Sequence, residues 1–163
     1  PLGRLAGQIV VPSRSGDITA HVRGFFTEYC TAFIRQDGAA IAKHFAELVH
    51  TTSDPGKDVR VHVSHGEEVR KTIDHLLEMY RAIDFGNAEA IGLATDPLSS
   101  RLVQVRIRWA LRDTAVAPLS AFDAMYTLAS HPHILRLTAV PHNEMGHYRR
   151  CVAALAEARV AKK

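Results

Sequence analysis

The apolar residues in the first part of the chain recur at helical spacing. The residues that share this helical face are Ile18, Val22, Phe25, Phe26, Tyr29, Phe33 and Ile34. Asp17 stands before them as a candidate N-cap, and Asp37 and Gly38 end the pattern. The sequence therefore predicts a long amphipathic helix that begins near residue 17.

Shorter elements are predicted between this helix and residue 84. A second helix covers residues 39–46, and residues 48–52 form a short strand that runs into a turn at residues 53–56. Ser64 and Glu67 have the spacing of a capping box, which predicts the start of a third helix. The apolar face of that helix consists of Val69, Ile73, Leu76, Leu77 and Tyr80.

After residue 84 the pattern changes from helical to alternating. Strands are predicted over residues 87–95, 102–112, 120–129 and 134–140, joined as a meander. In the second of these strands the odd positions are apolar: Val103, Val105, Ile107, Trp109 and Leu111. We expect those side chains to point inward. From residue 143 onward the spacing becomes helical again.

Helices followed by an antiparallel meander are typical of an α+β fold, with the long first helix covering one face of the sheet. We expect three regions in the chain. Residues 1–16 form an irregular arm, residues 17–142 form one domain, and residues 143–163 form a C-terminal helix with a basic tail.

Composition indicates one soluble globular domain. The chain has 163 residues, of which 47% are hydrophobic and 23% charged, so its core needs no disulfide or metal for stability. The longest apolar run, residues 151–156, is too short to span a membrane, and no signal peptide is visible. Two cysteines, Cys30 and Cys151, fit a reducing compartment. We therefore expect a cytoplasmic protein that does not bind membranes.

Several chemical classes are disfavoured by the motifs. His62 and His65, and likewise His131 and His133, lack a third ligand at a clear spacing, so no metal site is expected. No phosphate loop, dinucleotide fingerprint or serine-centred elbow is present.

A basic stripe is predicted from Arg106, Arg108 and Arg112, with Arg136 as a candidate fourth member. Nucleic-acid surfaces use interleaved exposed aromatic residues for base stacking, and Tyr126 is the single candidate for such a residue here. The net charge of +3 is also weak. The stripe is therefore interpreted as an interface or a solvated face, and no nucleic-acid partner is expected.

The order of these elements and several local marks resemble the nuclear transport factor 2-like superfamily, in particular its SnoaL-like and ketosteroid-isomerase-like branches. The resemblance covers roughly residues 17–142. Its marks are Tyr29 eight residues before Asp37-Gly38, Phe45-Ala46, Asp54-Pro55, Ser64-His65-Gly66-Glu67 and Phe122-Asp123-Ala124-Met125. The resemblance implies a cone-shaped domain in which helices and a curved antiparallel sheet enclose a largely apolar pocket. It also implies a homodimer joined through the outer sheet face.

The resemblance further implies roles for individual residues. By analogy, Tyr29 and Asp123 donate hydrogen bonds to a developing oxyanion, and Asp54 moves a proton. An apolar pocket raises the pKa of a carboxyl group, which can then stay neutral and donate. The segment before Asp54 is one residue longer than in that branch, so Ser53 competes for the position of the base.

Trp109, Met125 and Leu137 are the expected ligand-binding residues, and no cofactor is implied. Each site residue also has a structural interpretation. Tyr29 lies on the apolar face of the first helix and fits a packed core tyrosine, and Asp54 fits an ordinary turn. For Asp123, strand parity leaves two alternatives: it faces the pocket beside Trp109, or it lies outside opposite Arg108.

Two functions remain open at this point. The first is a small-molecule pocket protein that acts by proton transfer on an apolar carbonyl compound, as an isomerase, cyclase or dehydratase without a cofactor. The alternative is a non-catalytic ligand-binding or dimerisation module. An ionisable group within the apolar pocket would favour chemistry, and an entirely apolar interior would favour binding.

Overall fold

The computed structural model of the protein describes residues 15–130 and 134–160. Its helices and strands, in chain order, are α1 (Ser15–Ile34), α2 (Gly38–Ala42), β1 (Phe45–Ser53), β2 (Arg60–His65), α3 (Gly66–Ala82), β3 (Phe85–Ser99), β4 (Leu102–Asp113), β5 (Pro118–Ser130), β6 (Leu135–His142) and α4 (Glu144–Val160). This is an α+β fold, as the sequence predicts.

The six strands form one curved, open sheet in the order β2-β1-β6-β5-β4-β3. Neighbouring strands are antiparallel except β1 and β6, which run parallel. Register shifts interrupt the pairing, for example between Ala90 and Gly92 on β3. Because such shifts bend a strand and increase its twist, they favour the curvature that lets one sheet face enclose a cavity.

Helix α1 packs on this inner face of the sheet. Val22 and Phe26 are buried, and the ring of Phe26 lies 4.9 Å from that of Tyr126 on β5 and 6.4 Å from that of Trp109 on β4. The apolar odd positions of β4 are buried, which confirms their predicted inward direction. Alternation along β4 and helical spacing along α1 thus place two apolar surfaces against each other.

The start of α3 differs from the predicted capping box by one residue. Its N-cap is His65, whose backbone N–H donates to the Glu68 carboxylate at 3.2 Å. Ser64 is instead the penultimate residue of β2 and pairs with Val49 on β1. A Glu at both 67 and 68 made the sequence compatible with either start.

Other helix and strand boundaries also differ from the predicted ones. Strand β2 was not predicted, and β1 begins at Phe45, within the segment predicted to be helical. Helix α1 begins at Ser15, so Asp17 lies inside the helix and is not its N-cap. His131 and His133 and most of the predicted arm and basic tail lie outside the described residues.

None of the described helices is long and apolar enough to cross a membrane.

Candidate functional site

A cavity of about 340 Å³ lies between the inner face of the sheet, α1 and α3. Many of its lining residues are aromatic: Tyr29, Phe33, Phe45, Tyr80, Phe85, Trp109, Phe122 and Tyr126. Aliphatic side chains such as Val49, Ile73 and Leu111 fill the spaces between them. A mostly apolar cavity with a few polar groups is typical of a small-molecule site.

Two tyrosine hydroxyl groups lie deep in this cavity. Tyr126 accepts a hydrogen bond from Trp109 Nε1 at 2.8 Å, which fixes both rings. Tyr29 is also buried, but no hydrogen bond from its hydroxyl to another described residue is formed. Burial, together with the nearby Tyr126 and Glu144, raises the pKa of Tyr29 well above its ordinary value. Tyr29 is therefore a neutral donor available to a ligand.

Glu144 is the carboxylic acid among the described residues that line the cavity. It is the first residue of α4, lines the cavity and is only 9% exposed. The Tyr80 hydroxyl donates a hydrogen bond to its Oε1. Burial raises the pKa of Glu144 to about 8, because an apolar cavity disfavours the charged carboxylate. With a pKa near neutrality the group is mostly protonated at pH 7 and is able both to give and to take a proton.

His142, the last residue of β6, lies beside this carboxyl group. Its Nδ1 is 3.7 Å from Glu144 Oε2, which is too long for a hydrogen bond, and is buried without a hydrogen-bond partner in the described part of the chain. Burial lowers the pKa of His142 and raises that of Glu144. Burial therefore favours the neutral form of both groups, and the contact is not an ion pair at neutral pH.

One wall of the cavity is polar. We define the β1–β2 polar wall as Thr51, Ser53, His62 and Ser64, all of which line the cavity. Pairing of Thr51 with His62 and of Val49 with Ser64 places these side chains on the same face of the sheet. The opposite half of the sheet, β4 and β5, contributes mainly Trp109, Leu111, Phe122 and Ala124.

The predicted site residues fall into two groups. Tyr29 and Trp109 line the cavity, as does Ser53, the competitor of Asp54. Leu137 is fully buried but packs in the core outside the cavity lining. Asp54 lies in the turn after β1, where its carboxylate accepts the Gly56 N–H at 2.8 Å. It is exposed and does not line the cavity, as its turn interpretation predicts.

The placement of Asp123 and Met125 corrects the expectation that they face the pocket. Phe122 pairs with Trp109 and points inward, so the next residue, Asp123, points outward. There its carboxylate accepts a hydrogen bond from Arg108 at 2.7 Å, and both side chains are about half exposed. Met125 has the same parity and likewise does not line the cavity. The position of Asp123 therefore gives no support to a role as an oxyanion donor.

Glu144, His142 and Tyr80 were not among the predicted site residues. Glu144 lies beyond the predicted domain, at a helix start where an exposed acid is commonplace. Tyr80 was recognised only as part of an apolar helix face, and the chain separates it widely from Glu144. No local pattern joins them, because the contact depends on how α4 packs near α3.

Within the described ranges, no cluster of three or more His, Cys, Asp or Glu side chains could hold a metal ion.

Comparison with known proteins identifies the family of this chain. The family model described as "NTF2-like protein (DUF6841)" matches residues 19–144, which includes Glu144 as its last residue. No curated protein matches.

Solved structures share the fold at low sequence identity. A Mycobacterium tuberculosis protein of unknown function is 14% identical, with a TM-score of 0.62 over 78% of this chain and 76% of that one. A putative dehydratase of the NTF2-like family from Streptomyces avermitilis is 11% identical (TM-score 0.60; 79% and 96% covered). A ketosteroid isomerase-like protein from Erwinia carotovora atroseptica is 17% identical (TM-score 0.54; 76% and 93% covered). The expected superfamily and fold are thereby confirmed, and the chain belongs to the NTF2-like protein family DUF6841.

Proposed function

We propose that the cavity binds an apolar carbonyl compound and that Glu144 transfers a proton within it, without a cofactor. The observation that carries this proposal is a buried carboxyl group with a pKa of about 8 in a largely aromatic cavity. A proton-transfer group works best when its pKa lies near the working pH. This is the class of chemistry that isomerases, cyclases and dehydratases share.

The proposed step uses two groups of the chain. The ionised carboxylate of Glu144 takes a proton from the carbon next to the carbonyl group, and the released electron pair moves onto the carbonyl oxygen. The Tyr29 hydroxyl, which has no partner among the described residues, donates a hydrogen bond to that oxyanion. Glu144 then returns the proton to carbon. Removing one such oxyanion donor lowers a rate by about 10²- to 10³-fold in well-organised sites.

Tyr80 and His142 serve as positioning residues in this proposal. The hydrogen bond from Tyr80 holds Oε1 of Glu144, so the carboxyl group keeps one orientation in the cavity. His142 Nδ1 lies near the other oxygen, Oε2. Substituting Tyr80 by Phe is expected to change the pH profile of the reaction, whereas a residue with a packing role only would leave the profile in place.

A test is the exchange of carbon-bound protons for deuterium. The protein is incubated with 2-tetralone, a bicyclic ketone with acidic protons, in deuterated buffer, and exchange is followed by proton NMR. We expect exchange above the buffer rate that rises with pH to a plateau above about pH 8, because the ionised form is the base. Glu144→Gln should return exchange to the buffer rate, and Tyr29→Phe should slow it.

Asp123→Asn is the matched control, since this carboxylate lies outside the cavity. The proposal would be contradicted if Glu144→Gln exchanged protons at the wild-type rate. It would also be contradicted if Asp123→Asn lost exchange while Glu144→Gln kept it.

The second candidate function is ligand binding without chemistry. It is favoured by the hydrogen bond from Tyr80, which gives the buried Glu144 a partner even in the absence of a ligand. Saturable binding of an apolar phenol, with no ketone exchange at any pH between 6 and 9, would select this alternative.

We also propose that the protein forms a homodimer through the outer face of the sheet. This face carries half-exposed Arg108 and Asp123 beside a partly buried Met125, and polar and apolar groups are mixed there as in many interfaces. Sedimentation over a hundredfold range of concentration tests it, and a constant monomer mass would refute it.

A further inference from the structure

We infer that the ligand of this cavity carries a second hydrogen-bonding group, which binds the Ser64 hydroxyl on the β1–β2 polar wall. The inference rests on the proposed function, because it concerns the ligand of the same cavity. It narrows the ligand class from any apolar carbonyl compound to an elongated one with a polar group at each end.

The first observation is the state of the Ser64 side chain. Ser64 is only 4% exposed and lines the cavity. Its backbone pairs with Val49, but its hydroxyl makes no hydrogen bond to any residue in the described part of the chain. The hydroxyl is open to the cavity, and an apolar ligand that covered it would leave it without a hydrogen-bond partner, which costs free energy. A ligand that supplies the partner therefore gains affinity at this point.

The second observation is the unequal polarity of the cavity walls. The β1–β2 polar wall brings Thr51, Ser53 and His62 next to Ser64, whereas β4 and β5 are mainly aromatic and aliphatic. Thr51 Oγ1 already donates to the His62 carbonyl oxygen at 3.3 Å, so Ser64 is the buried hydroxyl of this wall that a ligand apolar throughout would cover without giving it a partner. A ligand with a polar group at this side matches both walls.

Strand register sets the separation between the two polar ends. Ser53 is paired with His142, beside Glu144, while Ser64 is paired with Val49, four positions earlier on β1. Four residues of strand span about 13 Å, and curvature of the sheet shortens the direct path. The ligand must therefore be elongated to reach both Ser64 and the carboxyl group.

The test compares two rigid probes, 4-phenylphenol and 4,4′-biphenol, which differ only in the hydroxyl at the far end. Binding is measured by isothermal titration calorimetry. We expect wild type to bind the diol about five- to tenfold more tightly than the mono-phenol, the effect of one added hydrogen bond. In Ser64→Ala the two probes should bind with equal affinity, and the mono-phenol should keep its wild-type affinity.

Thr52→Ala is the matched control, because Thr52 is a neighbouring hydroxyl residue on β1 that does not line the cavity. It should preserve the preference for the diol. Circular dichroism melting shows whether each variant is folded.

Three results would overturn the inference. If the mono-phenol binds and the diol gains nothing, the second polar site is refuted and the proposed function stands. If Ser64→Ala weakens both probes equally, the effect is structural and the site is refuted as well. If neither probe binds wild type, both the site and the proposed ligand class fail.

Discussion

The buried carboxyl group of Glu144 should make the stability of the protein depend on pH in an unusual direction. Most carboxylates stabilise a fold when ionised, but this one is stabilised in its neutral form, since burial raises its pKa from 4.5 to about 8. The informative perturbation is Glu144→Gln, which keeps the shape and the acceptor for Tyr80 but cannot ionise.

The expected magnitude follows from proton linkage. Between pH 4.5 and 8 the folded state holds a proton on Glu144 that the unfolded chain releases. The stabilisation is therefore complete below pH 4.5 and is lost as the pH rises to about 8. Each pH unit in this window lowers the free energy of unfolding by about 1.4 kcal/mol, which amounts to roughly 4 to 5 kcal/mol over the whole window.

His142 works in the opposite direction. Burial lowers its pKa, so its contribution is present above the ordinary histidine pKa of 6.5 and is lost as the pH falls through the lower folded value. Since His142 is present in both proteins, its contribution largely cancels when wild type and Glu144→Gln are compared at the same pH. The difference between them isolates Glu144.

The assay is urea unfolding at pH 5, 6, 7 and 8. Trp109 is the only tryptophan, is buried, and lines the cavity, so its fluorescence reports the loss of the core. From pH 5 to pH 8 the free energy of unfolding of Glu144→Gln should rise relative to wild type by about 3 to 4 kcal/mol. A difference that stays constant across this range would refute the assignment of a raised pKa to Glu144, and with it the proposed base.

Four further substitutions test other parts of the structure. Asp123→Asn should change the free energy of unfolding by less than about 1 kcal/mol and leave phenol binding unchanged, because its pair with Arg108 is solvent-exposed; a large loss of binding would contradict this. Gly86→Ala should destabilise the protein by about 1 to 3 kcal/mol in a urea titration, since the added Cβ would lie 2.7 Å from the backbone at the end of β4. Gly24→Ala should instead stabilise it by about 0.5 to 1 kcal/mol, because Gly24 lies on an exposed helix face with open space for the Cβ. Leu137→Ala should cost about 2 to 5 kcal/mol in thermal or urea unfolding because the side chain is fully buried, yet the folded variant should bind a phenol like wild type, since Leu137 does not line the cavity.

Much of the fold could be predicted because strong periodic patterns matched the elements that form the core. The alternation of Val103, Val105 and Ile107 correctly gave the direction of β4. Strand β2 was missed although Val61 and Val63 alternate, because their side chains lie on the exposed face and the inward residues are polar. In most half-buried strands the apolar residues face the core and the polar residues face solvent, and β2 reverses this arrangement.

The site was less predictable than the fold. On β5 both alternating sets contain apolar residues, so parity alone could not place Asp123, and the pairing of Phe122 with Trp109 decided it. Glu144 could not be predicted as a site residue for a different reason. Its burial depends on Tyr80 and His142, and a contact between distant parts of the chain leaves no mark in local spacing.

The parallel pairing of β1 with β6 has a consequence for how the protein is made. β1 and β2 lie in the first half of the chain, yet among the described strands they join the rest of the sheet through β6, near its end. On a ribosome, which releases the chain from its N-terminus, the early hairpin and α3 have to wait for β6 before the sheet can join. Glu144 emerges directly after β6, so the joined sheet and the acid of the cavity appear in the same late step. A nascent chain that stops before residue 142 would hold neither.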